Sequence, residues 1–479
     1  MTQRMATALR EEESGFALII SIILMGVIGT LVALTLTVGT HSDFSTGRGR
    51  NFVEALHVAE SGVEHAISKL QSTGGGFAGT FTGSINEGGN EGTYTVTVTK
   101  LARKRYQIDA AASVGTGGGL KTKRKLRVTM APPPAFKYAL FSYTSVSTKN
   151  NDLITGDIWA NENITVDEGD TVDGSVTAAR GYIHLANGSR VKGDAWSGWF
   201  DDSNSYAIHL DNNAIIDGNA KASVTAPTDP VTGGGENLNN YTVRLETGSS
   251  VGKNVTTWGT KTGPGTVGGV VANNVCTAAP ASKPLPVFTY SDLNYDPATL
   301  HQFGTAGTPS ATAVSDFQTY VAGQGKHISG TFYINQAAPV NQDNRIDLTN
   351  VVITGDTTII SNAPIFTNGV ADDTNDAIFV LVSTYQPPVG TTCDLNQDKS
   401  ECSIHLKNNF QPSGKTAVLI YAPYGPVAVK NNQVQFGSIY ADEILVKDNQ
   451  QMTYDSRVER VVGFGPDTYE IQQWLELNP

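Results

Sequence analysis

The chain has 479 residues, too many for one ordinary core, so two or three folded units are expected. A formal net charge of −12, from 33 Lys and Arg against 45 Asp and Glu, argues against a general nucleic-acid binder. With 50 glycines, a charged fraction of 16% and much Asn, Thr and Val, the composition is that of a β-rich extracellular protein and excludes disorder.

Residues 1–15, MTQRMATALREEESG, form a short hydrophilic leader. Residues 16–38, FALIISIILMGVIGTLVALTLTV, follow without a charge. As a helix this run reaches roughly 34 Å, enough to cross a bilayer core. A secretory signal is cut after its apolar stretch, whereas the best processing point here lies before it, at Gly15–Phe16. Residues 16–40 are therefore expected as a transmembrane and fibre-core helix, with the remainder outside the cytoplasm. An amphipathic continuation is expected over 41–73, because Phe52, Leu56, Ala59, Val63, Ala66 and Leu70 recur at three- and four-residue steps. Gly74, Gly75 and Gly76 end it.

The leader, the Gly15–Phe16 junction, the apolar run and the segment RNFVEALHVAESGVEHAISKLQ resemble type IV pilins and type II secretion pseudopilins, from the start of the chain to about Leu70. Ala59-Glu60-Ser61-Gly62 is similar to the segment that follows the anchor in PilX-type minor pilins. The resemblance implies that a prepilin peptidase cuts after Gly15 and methylates Phe16. It also implies a single-pass protein of the bacterial inner membrane that later enters an extracellular fibre or stays at the cell surface. Other pilin subunits, the peptidase and the inner-membrane assembly platform would be its partners. Ile20 stands at the fifth mature position, where major pilins carry a Glu that pairs with the methylated amine of the preceding subunit. A subunit that starts the fibre has no predecessor and no use for that buried charge, so Ile20 implies a tip position.

Residues 74–130 are expected to form the small antiparallel sheet of a pilin headgroup, with strands at Tyr94–Thr99, Arg105–Ala110 and Leu126–Met130. Two basic clusters, Lys100 with Arg103, Lys104 and Arg105, and Lys121 with Lys123, Arg124, Lys125 and Arg127, read as a solvated strand face and a turn. Nucleic acid is not an expected partner.

Ala131-Pro132-Pro133-Pro134 opens a proline-rich linker over 131–136. Beyond it a loose repeat appears at Gly156, Gly174, Gly193 and Gly218, each step close to the length of one solenoid coil. Short Val- and Ile-rich strands joined by Asn, Asp and Gly turns predict a parallel β-solenoid over 137–465, with an irregular insertion at about 227–345. Within the insertion, Ser315–Val321 is a candidate helix. Near-continuous apolar runs from Ile346 onward suit a parallel core. Gly437-Ser438-Ile439-Tyr440-Ala441 repeats the pattern of Gly156-Asp157-Ile158-Trp159-Ala160, and with Tyr454-Asp455 it resembles the terminal coils of pilin-linked β-solenoid modules. Residues 466–479 are expected as a cap, with a short helix over Asp467–Leu477 closing the stack. The predicted fold class is thus an α+β amino-terminal pilin module followed by a mainly β parallel solenoid.

Cys393 and Cys402 enclose a loop short enough to close as a disulfide, leaving Cys276 over. Inside that loop Asp394, Asn396 and Asp398 alternate as EF-hand oxygens do and are the candidate calcium ligands; the EF-hand Gly is missing and His405 stands where its Glu would be. No other cofactor is expected. The eight histidines are scattered, without zinc spacing. Gly248-Ser249-Ser250-Val251-Gly252 and the Gly263–Gly268 string match a nucleophile elbow and a dinucleotide fingerprint only as strings, lacking the helix each needs. The functional expectation is a minor pilin or pseudopilin at a fibre tip, initiating assembly and displaying a solenoid that adheres to a surface ligand, with no catalytic residues. The alternative is a tethered polysaccharide-acting β-helix enzyme, which would need Asp201, Asp202, Asp372, Asp373 and Asp376 to converge across coils.

Overall fold

The computed structural model describes residues 2–72, 77–87, 90–101, 106–115, 121–131, 136–198, 206–223, 242–275, 277–285, 300–305, 307–338, 340–373, 376–394, 396–397, 401–408, 416–431, 434–461 and 470–477; for 2–22, 38–48 and a few strand positions only the backbone is described. The chain divides into two compact units, Met1–Ala131 with Gly465–Pro479, and Pro132–Phe464.

The first unit is built on α1, Thr2–Ser72, a continuous helix of 71 residues with no proline to interrupt it. Thr30, Thr35 and Thr37 turn their hydroxyls back onto carbonyls four residues earlier, so these polar groups are satisfied by the helix itself. The expectation of a single-pass membrane protein is corrected here: among the described residues no helix is long and apolar enough to cross a membrane.

Four antiparallel strands follow in meander order: β1 (Gly79–Glu87), β2 (Asn90–Lys100), β3 (Tyr106–Val114) and β4 (Thr122–Ala131). Alternation places Tyr94, Val96 and Val98, then Ile108, Ala110 and Ala112, then Leu126, Val128 and Met130 on one buried face. That face packs on Ala55, Val58, Ala59, Val63, Ala66 and Leu70 of α1. Of the expected stripe, Ala59, Val63, Ala66 and Leu70 lie on this face and Leu56 packs at its edge, whereas Phe52 is 47% exposed and its ring carries the Arg124 guanidinium. Strand β1 has a weak sequence signature because Gly-Thr-Phe-Thr-Gly-Ser offers few apolar residues; Gly83 is needed there, as a Cβ would run into the Tyr94 ring.

The carboxy-terminal expectation is also corrected. Glu470–Leu477 is a strand, not a capping helix, and it pairs antiparallel with β4 as the fifth strand of this sheet. Its residues meet the open hydrogen-bonding edge of β4, which an isolated helix would leave unpaired.

The second unit is a stack of coils whose strands form three parallel ladders. One coil consists of Val176–Ala178, Ile183–Leu185 and Arg190–Val191; each strand pairs in register with the same position of the coils before and after it. Inward residues such as Ile183, Ile208 and Val243, and Leu185, Leu210 and Leu245, are fully buried along the axis. A left-handed corner recurs two residues before one strand of each coil, at Gly169, Gly188, Asn213 and Gly248, with φ of 75°, 71°, 60° and 76°. Gly adopts that conformation freely, and Asn and Asp do so more readily than other residues.

Sequence order and stacking order differ. Leu140–Ser142 pairs with Ile158–Ala160 on one side and with Ile439–Ala441 on the other. Val146 likewise lies beside Ile444, and Leu153–Thr155 beside Gln451–Thr453. The first coil is therefore sandwiched between the second and the last, so the chain enters and leaves at the middle of the stack. The expected irregular insertion is narrower than predicted, because coils continue through Val243–Leu245 and Val255–Thr257 to Val271–Ala272. The helix α2, Ala313–Gly323, packs Phe317 against Phe303 and Phe332 and so covers the stack over strands Leu300–Phe303 and His327–Ile334. The proline-rich linker expected at 131–136 lies largely outside the described residues, as does Cys276.

Candidate functional site

The residues that the pilin resemblance singled out fall on α1. Gly15, Phe16 and Ile20 lie within its helical backbone, with their side chains outside the described ones. Ala59 is fully buried against the sheet, and Gly62 faces β2 so closely that a Cβ would stand 2.9 Å from Val96 Cγ2 and 3.1 Å from the Tyr94 ring. Glu60 turns outward, 3.0 Å from His57 Nδ1, and Ser61 Oγ donates to the His57 carbonyl. In Ala-Glu-Ser-Gly the two small residues thus bring helix and sheet into contact, and the polar pair stays on the helix surface. The basic clusters are partly consumed inside the unit: Arg127 grips Asp109 at 2.7 Å, and Arg124 meets Glu476 at 2.9 Å. The guanidinium contact holds the Asp109 carboxyl below its ordinary range against the opposing pull of burial.

In the solenoid, Cys393 and Cys402 are joined by a disulfide. Asp394 Oδ1 accepts from the Asn396 backbone at 2.8 Å, and its Oδ2 accepts from Gln397 Nε2 at 2.9 Å. Asn396 Oδ1 accepts from Lys430 Nζ at 3.0 Å and faces Lys447 Nζ at 3.5 Å. Two ammonium groups aimed at this oxygen disfavour a calcium ion there; Asp398 lies outside the described residues. Two of the acidic candidates are held by separate partners, and for Asp373 the backbone N–H donates to the Ile353 carbonyl. Asp372 accepts from the Thr416 hydroxyl, and Asp376 pairs at 2.9 Å with Arg457, which also holds Asp455. Asp201 and Asp202 lie outside the described residues. Gly248 is a coil corner and Ser250, where the nucleophile would stand, opens a strand paired in parallel with Ile215–Ile216 and Thr266–Val267, so no strand-to-helix elbow forms; Thr266–Val267 continues the next coil as a strand where a dinucleotide site would need a helix.

The structure does assemble one group that sequence spacing concealed. His184 and His209, a full coil apart in the sequence, occupy the same outward position of neighbouring coils, since Ile183-His184-Leu185 pairs with Ile208-His209-Leu210. Their rings stack at 5.2 Å and 21°. Asp211 lies two residues beyond His209 and therefore on the same outer side. Its Oδ2 is 3.0 Å from His184 Nε2 and its Oδ1 is 3.4 Å from His209 Nε2. In the coil beyond, Glu246 Oε1 lies 3.5 Å from His209 Nε2 and accepts from Arg244 Nε at 2.5 Å. His209 Nε2 is buried and makes no hydrogen bond of good geometry. Burial pushes the His209 imidazole below its ordinary range, with the neighbouring carboxylates pulling the other way. The expectation of scattered histidines is corrected by this pair. The sequence signal was Ile-His-Leu, which occurs at 183–185, 208–210 and 404–406; only the coil register shows that the first two are neighbours and the third is not.

No protein-family model matches the chain, and no curated protein is significantly similar to it. Among solved structures, a competence-associated pilin, ComZ from Thermus thermophilus, aligns over 89% of this chain and 98% of its own length at 10% identity. Its TM-score of 0.21 is too low to define a shared fold.

Proposed function

We propose that this chain is a pilin-like structural subunit that enters a fibre through α1 and carries its solenoid as a display module. The observation that carries this reading is the exposure of α1 between Ile23 and Leu34. Ile23, Leu24, Met25, Val27, Ile28, Leu31, Val32 and Leu34 are each 50–76% exposed, and consecutive residues of a helix point in all directions. An apolar helix bare on every side needs neighbours all round it, and a bundle of like helices from other subunits supplies them. The Gly15–Phe16 junction and the Ala59–Gly62 contact with the sheet support a PilX-type minor pilin that is processed after Gly15. Ile20, in place of a Glu, supports a tip position that starts assembly. A unit as large as Pro132–Phe464 on every subunit would crowd a closely packed shaft, which supports the same position and a role in adhesion. Asp372 and Asp376 are held by separate partners, which favours a non-enzymatic role. Antibodies raised against the solenoid should label the ends of isolated filaments. Uniform labelling along the shaft would remove the tip position, and absence from filaments would remove the fibre reading.

A further inference from the structure

We propose that His184, His209 and Asp211, with Glu246 beside them, form a binding site for one zinc-like divalent cation on the outer side of the solenoid. The donors are those that such ions favour: two imidazole nitrogens and carboxylate oxygens. One atom from each of the first three residues lies within 4.8 Å of the others. A tetrahedral ion with ligands at about 2.0–2.1 Å sets its donors roughly 3.3 Å apart. The separations here are 3.0 Å from His184 to Asp211, 3.4 Å from His209 to Asp211 and 3.5 Å from His209 to Glu246.

The arrangement follows from the coil. Parallel strands stand about 4.8 Å apart, so residues on one outward ladder stack whatever their sequence separation. Register puts His184 against His209, and the next outward row places Ala186 beside Asp211. The small Ala186 side chain leaves the Asp211 carboxylate room to lean toward His184. Asp211 and Glu246 against Arg244 leave one negative charge in excess, which favours a cation. Arg244 is held off by Glu246 and the Tyr206 hydroxyl, so the guanidinium does not occupy the position between the imidazoles. The buried His209 Nε2, facing two carboxylates without a good hydrogen bond, is the donor that metal would satisfy.

The inference is independent of the fibre reading and is tested on the full chain with metal alone. Calorimetric titration with zinc chloride should show one tight site per chain. His184→Gln and His209→Gln should each weaken it at least about tenfold, the loss that even an outer-shell partner produces, whereas His57→Gln on α1 should not change it. Because a variant can misfold, X-ray absorption of the zinc-loaded wild-type protein provides a second measure and should show two imidazole nitrogens in the first shell. No stoichiometric zinc binding, or a zinc shell without imidazole, would overturn the site. Binding indifferent to both histidine substitutions in folded variants would do the same.

Discussion

Phe141 and Tyr440 stack face to face, ring centroids 5.0 Å apart at 9°, although almost the whole solenoid separates them in the sequence. Their strands are neighbours in one parallel ladder, and Phe136 closes edge-on against Tyr440 at 4.7 Å. This contact joins the first coil of the solenoid to the last. Both rings are nearly inaccessible, so neither is a surface ornament.

Phe141→Ala should therefore destabilise the solenoid by about 3–5 kcal/mol, the usual loss for a buried aromatic truncation. The effect should appear as a lowered denaturant midpoint of the solenoid transition, with the β1–β4 unit unaffected. A shift below about 0.5 kcal/mol would mean the seam is not closed by this stack.

A second prediction concerns acid and base. Asp152 and Asp170 are both buried beside each other, with Asp170 Oδ1 accepting from the Asp152 backbone at 2.7 Å. Burial pushes Asp152 up to about 7 and Asp170 up to about 6 from an ordinary 3.8, despite backbone donors from Gln450, Lys149 and Asp167 and the Thr148 hydroxyl. The charges of Asp170 and then Asp448 add to the rise at Asp152, and that of Asp167 to the rise at Asp170. With the folded values raised, the folded state binds more protons than the unfolded one between about pH 4 and 7. Stability from this pair is complete below about pH 4 and is lost as pH rises through 6 to 7. The unfolding free energy of the wild type from denaturant titrations should fall over that window by an amount on the order of a few kcal/mol, and Asp170→Asn should flatten the curve.

The close approach of α1 to the sheet gives a third. Gly62→Leu must displace Val96 and Tyr94, and overpacking of this kind typically costs about 1–3 kcal/mol. Thermal unfolding of the amino-terminal unit should move down accordingly, whereas Ser61→Ala, on the helix surface, should stay within about 0.5 kcal/mol.

Processing is checked by mass. If the chain is matured as proposed, the amino terminus of the assembled protein is Phe16, and Gly15→Leu leaves the leader attached. An unchanged mature mass for that variant would sink the prepilin reading.

The fibre reading makes a demand on Ile28, which is 52% exposed on α1. Ile28→Asp would place an unpaired charge among the packed helices and should abolish recovery of the protein with sheared filaments, while leaving the helix–sheet core intact by circular dichroism.

The sequence by itself determined the local elements. The unbroken, proline-free apolar run from Phe16 and the three- and four-residue recurrence from Leu56 to Leu70 specify a helix, and α1 spans that stretch without a break. Thr-Val-Thr-Val alternation likewise specified β2, and the recurring Gly and Asn corners announced coils. It could not determine which coil lies on which. Strands this short carry almost no register information, and parallel pairing is chosen by the whole stack, not by a turn. Tertiary structure alone set Leu140 beside Ile439, drew Glu470–Leu477 back to β4, and stacked His184 on His209. A ladder with a spacing of about 4.8 Å erases sequence distance, so residues one coil apart and residues at opposite ends of the solenoid sequence become neighbours for the same physical reason.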